Sequence, residues 1–191
     1  MFPDLINEIE KVIHAPDIDQ YAGFFVKGGF VWDGMPLKYG LKNNKITLLH
    51  KGRMRYPIID DLGCEIMGEI EGHYQPVPIH DNHKIGQLKT KIDHYAFVDL
   101  SDWDKRHKKY AVWEAYMLHH KAYPTEPSRI RQFLKAIFRR LPARPLFAFL
   151  HSYILKLGFF DGRAGFGFAR TRYRYYKMVR EQANALGTHI F

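Results

Sequence analysis

The chain has 191 residues, 46% of them hydrophobic, and a formal net charge of +9. That length fits one ordinary domain, or a small domain with an appendage, and the apolar content excludes general disorder. The single cysteine, Cys64, excludes an internal disulfide framework and a cysteine-cluster zinc site, and no run of 18 or more apolar residues offers a conventional spanning helix.

In chain order, "FPDLINEIEKVIH" predicts a helix from Phe2 to His14, with Leu5, Ile9, Val12 and Ile13 at helical spacing and Pro3 in its first turn. Its acidic residues stand where a signal peptide needs a basic start. "HAPDID" ends it. "QYAGFFVKGGFVWDG" and "KITLLHKGRMRYPII" then carry strand chemistry, separated by the "KNN" turn signal. The segment "DDLGCEIMGEIEGHYQPVPIHDNHKIGQL" reads as mostly loop with a short strand.

Helices dominate from Leu100. Ser101 is the expected cap of "SDWDKRHKKYAVWEAYMLHH", with Asp102 and Asp104 in the favourable first turn. "AYPTEPS" is a linker whose Ser128 caps the next helix. There Ile130, Phe133, Leu134, Ile137, Phe138 and Leu141 form one apolar stripe, with Arg129, Arg131, Lys135, Arg139 and Arg140 largely off it. After "LPARP" comes a short Phe-rich hairpin, then a turn at "DGRAG". The last helix carries Arg170, Arg172, Arg174, Lys177 and Arg180 among tyrosines.

Charge divides the chain. From Lys121 onward there are 14 Lys and Arg against 3 Asp and Glu, a net +11, whereas residues 1–120 carry −2. The back therefore meets something anionic. Two basic amphipathic helices around a Phe-rich hairpin fit an in-plane membrane anchor, each basic residue contributing about 1 kcal/mol near an anionic leaflet. A solvated basic face with its stripes packed inward is the alternative. Nucleic acid fits less well: "RTRYRYYK" interleaves cations with aromatics, but no recognition motif accompanies it and the apolar hairpin would be idle.

Chemistry concentrates between Asp60 and His94. Asp60, Asp61, Glu65, Glu69 and Glu71 cluster ahead of His73 and Tyr74, and such a cluster either supplies a general base or is a solvated acidic loop. His80 and His83 in "HDNH" match no familiar zinc spacing, and "GFGFAR" is not a dinucleotide loop.

Several of these stretches resemble bacterial family 2 glycosyltransferases of the lipopolysaccharide-core and exopolysaccharide type. "KTKIDHYAFVDLSDWDKRHKKYAVWEA" is similar to the segment closing their catalytic domain, with His94-Tyr95 in the place of a His-Tyr or His-Asp pair and Tyr110 in the following helix. "RPLFAFLHSYILKLGFFDGRAGFGFA" is similar to their aromatic tail and its "LGFxDGxxG" turn, here Leu157, Gly158, Phe159, Asp161, Gly162 and Gly165. "GEIEGHYQP" resembles an acceptor-side loop. The fold implied is an α/β class: the C-terminal, acceptor-side part of a GT-A-like mixed α/β domain over residues 1–120, followed by a helical, basic amphipathic tail over 121–191.

The same resemblance implies an inverting transfer from a nucleotide sugar to a lipid-linked or polysaccharide acceptor, with Glu71 as base and Glu69 as the second candidate. His73, His94 and Tyr95 would position acceptor or diphosphate. Arg129, Arg131, Phe133, Lys135, Ile137, Phe138, Arg139 and Arg140 would hold the enzyme on the inner face of the cytoplasmic membrane. "FPDLINEIEKVI" is similar to the helix just after the Asp-x-Asp motif of these proteins. The donor half and its divalent metal (Mg or Mn) are therefore expected upstream of this chain, which alone should need no metal and be inactive. Where many relatives have a His-Glu pair, this chain reads Gly72-His73-Tyr74. A non-catalytic peripheral membrane or partner-binding module is the alternative reading.

Overall fold

The computed structural model describes residues 3–66, 74–95, 97, 99–124 and 129–188, with Arg131 described by its backbone alone. The chain is a mixed α/β protein. Helix α1 (Pro3–Ile13) leads through a 3-10 turn (Ile18–Gln20) into the central strand β1 (Tyr21–Trp32). β2 (Met35–Pro36) pairs with its end, and β3 (Asn43–Leu49) runs antiparallel along it, with Gly23 opposite Leu49 and Gly28 opposite Asn43. β4 (Met54–Arg55) and β5 (Val77–Pro78) form a separate two-stranded ribbon. β6 (Lys84–His94) runs parallel to β1, with Tyr21 opposite Lys84 and Phe30 opposite His94.

The α1 stripe meets the sheet as its period requires. Leu5, Ile9 and Val12 pack over buried Phe24, Val26 and Leu88, while Ala22, Ile46 and Met54 form a core on the opposite sheet face. Glu8 on α1 performs a second task. The β1–β6 register slips between Phe25 and Lys27, and there the Lys89 and Thr90 amides donate to the Glu8 carboxylate at 2.7 and 2.8 Å. Those bonds hold Glu8 below the usual carboxylate range.

β6 departs from the expectation of loop up to Leu88. Its apolar residues Ile85, Leu88 and Ile92 fall on two faces, with Lys89, Thr90 and Lys91 between them, so no alternation shows. Among the described residues β6 lies at the sheet edge, where lysines protect a strand from further pairing.

The helices continue with α2 (Leu100–His120), α3 (Arg129–Arg140), α4 (Arg144–Leu150), a π turn (His151–Leu155), a 3-10 turn (Gly158–Asp161) and α5 (Gly162–Ala185). Asp99, not Ser101, caps α2: its side chain accepts from the Asp102 amide at 2.8 Å. Asp104 is drawn instead into a two-pronged pair with Arg174 of α5, at 2.7 and 2.5 Å. α2 packs along α5, and fully buried Ala111, Ala115, Ala169 and Ala183 allow the close approach. The acidic loop after Asp60 is partly core, because Leu62 and Cys64 are buried against Trp113 and Met117 of α2.

The expected Phe-rich hairpin is helical, and α5 begins at Gly162 so that most of "DGRAG" belongs to it. The glycines of this stretch are structural. A Cβ on Gly165 would lie 1.9 Å from the Gly158 carbonyl oxygen, and one on Gly167 would lie 2.6 Å from the Trp32 indole nitrogen. Asp161 accepts the Lys38 and Tyr39 amides at 3.0 and 2.8 Å, fastening the turn to the loop after β2.

Candidate functional site

A cleft of about 1540 Å³ opens between the sheet and the helices. Phe25 and Ile46 line its sheet side, Tyr74 and Gln75 its loop side, and α2, α3, α4 and α5 the rest. Gln75 is fixed there because its side-chain oxygen accepts from the Ile46 amide at 2.9 Å. The Tyr74 hydroxyl accepts from the Trp113 indole at 3.2 Å.

A polar cluster is enclosed by these walls. Glu114 of α2 receives a guanidinium N–H of Arg144 on Oε1 and the Tyr175 hydroxyl on Oε2, the latter at 2.6 Å, while Tyr123 donates to the Glu114 backbone carbonyl at 3.3 Å. Arg144, only 4% exposed, stacks over Tyr176 at 4.3 Å. Burial opposes its charge, but Glu114 and the surrounding phenols hold its pKa above the ordinary value. Burial, reinforced by the Glu114 carboxylate, pushes the Tyr175 and Tyr123 hydroxyls well up. Burial also raises Tyr74. These phenols are therefore fixed proton donors rather than bases near neutral pH.

Of the eight expected membrane-binding residues, Lys135, Phe138 and Arg139 line this cleft, as do Leu134 and Leu141 of the same helix stripe and Tyr74, Tyr110 and Arg172. Phe138 meets the Tyr176 ring edge-on at 5.2 Å, and Arg139 lies 3.4 Å over the Tyr123 ring. Arg129, Phe133, Ile137 and Arg140 point outward instead. His94 and Tyr95 stand at the far end of β6, with His94 against Phe30 at 5.3 Å, and they do not line the cleft. Glu69, Glu71 and His73 lie outside the described residues, as does the Arg131 side chain.

Within "RTRYRYYK", Tyr175 and Tyr176 line the cleft and Arg174 is engaged by Asp104, so the segment does not form an open stacking platform. Among the described residues no three His, Cys, Asp or Glu side chains converge as metal ligands, and the His80 and His83 rings are 6.4 Å apart.

Glu114, Arg144 and Tyr123 carry no site signal of their own in the sequence, and Arg172 and Tyr175 stand there only as part of the basic, aromatic last helix. One packing signal is present: Glu114 is a lone acid in "AVWEAYML", a position that needs a buried cationic partner. Comparison with protein-family models, with curated proteins and with solved structures gave no match.

The helices also leave an apolar surface uncovered. Ile130, Phe133 and Leu134 on α3 are 75%, 64% and 59% exposed, Leu155 in the π turn is 73% and Phe160 is 61%. No described helix is long and apolar enough to cross a membrane.

Proposed function

We propose that this chain is the acceptor-side, membrane-interfacial portion of a family 2-like glycosyltransferase, a GT-A-like α/β part followed by a basic helical tail. In the complete enzyme a sugar passes from a nucleotide-sugar donor to a lipid-linked or polysaccharide acceptor. Glu71, or failing it Glu69, takes the proton of the acceptor hydroxyl, and the oxygen attacks the anomeric carbon opposite the leaving group. The bond to the nucleoside diphosphate breaks and the anomeric centre inverts. A divalent metal (Mg or Mn) would neutralise that diphosphate and belongs to the donor-binding half.

The observation that carries the reading is the exposed stripe on α3. A soluble helix would turn Ile130, Phe133 and Leu134 inward, as α1 turns Leu5 and Ile9. Here they face out between exposed Arg129 and Arg140, the arrangement of a helix lying in the headgroup layer. Such an anchor would keep the site beside an acceptor in the inner leaflet of the cytoplasmic membrane. The glycosyl-transfer part rests on the sequence motifs. A non-catalytic peripheral module would use the same surface, so the base decides between them.

In a chain carrying the donor half, Glu71→Gln should slow transfer by on the order of 100-fold with little change in donor affinity. If Glu69→Gln is crippled instead, the role moves to Glu69. If neither matters, the catalytic reading fails. For the anchor, vesicle flotation should strengthen with anionic lipid, weaken with salt and persist in part at high salt. A folded chain that ignores anionic vesicles but binds single-stranded nucleic acid would reverse the assignment.

A further inference from the structure

Arg144 is buried, yet it is only partly satisfied. One guanidinium nitrogen donates to Glu114, while Nε and Nη1 are shielded from solvent without a hydrogen-bond partner. Orphaned, buried guanidinium donors are costly, and they are best satisfied by an oxyanion that can meet the planar fork. Glu114 meets only one of the guanidinium nitrogens, through Oε1, and its Oε2 takes the Tyr175 hydroxyl.

The surroundings point the same way. Arg172 also lines the cleft, and its Nε is buried and unpartnered too. Arg139 lines it as well, and among the described residues no ion pair neutralises either of them. Glu114, the one acid of the lining, balances Arg144, so Arg139 and Arg172, with Lys135 and Lys156 farther along the same lining, leave it with surplus positive charge. His151, on the same wall, is held below the usual histidine range by burial, Lys156 and Arg172, as expected of a cationic pocket. Beyond the cations the lining turns apolar, through Phe147, Leu150 and Ile154 to Leu155, which opens onto the exposed apolar surface.

We infer that the cleft binds a lipid phosphate: a dianionic phosphate monoester or diphosphate head on Arg144, Arg139 and Arg172, with its apolar chain along Phe147, Leu150 and Ile154. An excess of at least two cations over acids in the lining suits a head with two negative charges better than the single charge of a bilayer phosphodiester. The chain is taken to come from the membrane, so the inference rests on the interfacial reading above. It gives that reading a substrate class.

The test is calorimetric titration of the chain with decyl phosphate below its micellar concentration, beside inorganic phosphate, decanol and dihexanoyl phosphatidylglycerol. Decyl phosphate should bind at least about tenfold more tightly than each of the others, the scale of one charge-assisted hydrogen bond. Arg172→Gln and Arg139→Gln, neither of which strips a buried carboxylate of its partner, should each weaken it by about tenfold. Arg144→Lys should do the same if circular dichroism shows it folded. If it unfolds, the other two variants carry the result.

Equal binding of inorganic phosphate would make this a free-phosphate pocket and overturn the inference. Equal binding of phosphatidylglycerol, equal binding of decanol, or variants that bind like the parent would overturn it as well. The two readings fail separately: loss of vesicle flotation with decyl phosphate binding intact sinks the anchor alone, and the reverse sinks the lipid-phosphate site alone.

Discussion

Helices α1 and α3 have the same pattern and opposite surroundings. Both are amphipathic helices of 11 or 12 residues with apolar side chains at helical spacing. On α1, Leu5, Ile9 and Val12 lie on the sheet, whereas on α3, Ile130 and Phe133 are mostly exposed, as is Leu134 although it also lines the cleft. What separates them is the polar face. That of α1 mixes Asp4, Glu8, Glu10 and Lys11, and Glu8 is consumed in binding the β6 backbone. The polar residues of α3 include no acid: Arg129, Arg131, Gln132, Lys135, Arg139 and Arg140, of which Lys135 and Arg139 turn to the cleft. Periodicity shows that a helix has a buried side; the charge opposite that side indicates whether protein or an anionic surface covers it.

The largest effect is expected within the tail, beside the turn that Asp161 fastens to the loop after β2. Gly165→Ala would drive a methyl carbon into the Gly158 carbonyl, where backbone on both sides resists displacement. That should cost on the order of 3 kcal/mol and lower the melting temperature by about 10 °C. A normal melt would mean the turn can open, and that sheet and tail are not locked there.

The next test compares the two stripes directly. Ile9→Ala should cost about 2 kcal/mol, because it removes packing from the sheet core. The pair Phe133→Ser and Ile137→Ser should change stability by only about 0.5 kcal/mol, since both side chains are already exposed. It should nonetheless weaken binding to anionic vesicles at least tenfold, roughly the worth of one buried apolar side chain. Phe138 is better left alone, because it packs on Tyr176 and Arg144. If the α3 pair melts like the α1 variant, the stripe is covered by protein after all.

Much of this contrast was legible in the sequence. α1, the start of α3, the strand chemistry of β1 and β3, and the cationic tail all follow from local pattern and composition. β6 did not, because an edge strand with a register slip shows neither alternation nor a continuous apolar run. The α2 cap was misplaced by two residues, since Asp99 and Ser101 are both competent and only geometry chooses between them. The "GFGF" glycines, which do not make a dinucleotide loop, serve instead to make room for a carbonyl and for Trp32, which only the fold reveals. The Glu114 cluster was the least legible. Its members come from α2, the segment after it, α4 and α5, and tertiary packing alone brings them together.

The smallest expected effect, and the one that separates the regions by chemistry, is the response to acid. His107 sits between α2 and α5, stacked on Trp103 at 3.8 Å, and burial holds its pKa below the ordinary 6.5 despite its bond to the Trp103 carbonyl. His151 is lowered in the same sense by burial, Lys156 and Arg172. A histidine depressed in the folded state is neutral there while the unfolded chain takes up a proton. Its contribution is therefore complete above about pH 6.5 and is lost as pH falls through that value toward the folded pKa. Glu8, which ties α1 to β6, is depressed from 4.5, so its contribution is complete above about pH 4.5 and is lost only as pH falls through that value toward the folded pKa. Between about pH 7.5 and 5.5, protection against amide hydrogen exchange, once corrected for the intrinsic pH dependence of exchange, should consequently fall in α2 and α5. It should fall too at the Phe30 end of β1, where burial lowers His94 in the same sense, while β3 and the part of β1 beside the Glu8 tie keep theirs. His107→Gln, if folded, should flatten the change in α2. Uniform loss of protection across sheet and helices would show that the two regions open as one unit, and the distinction between a sealed front and a looser helical back would then fail.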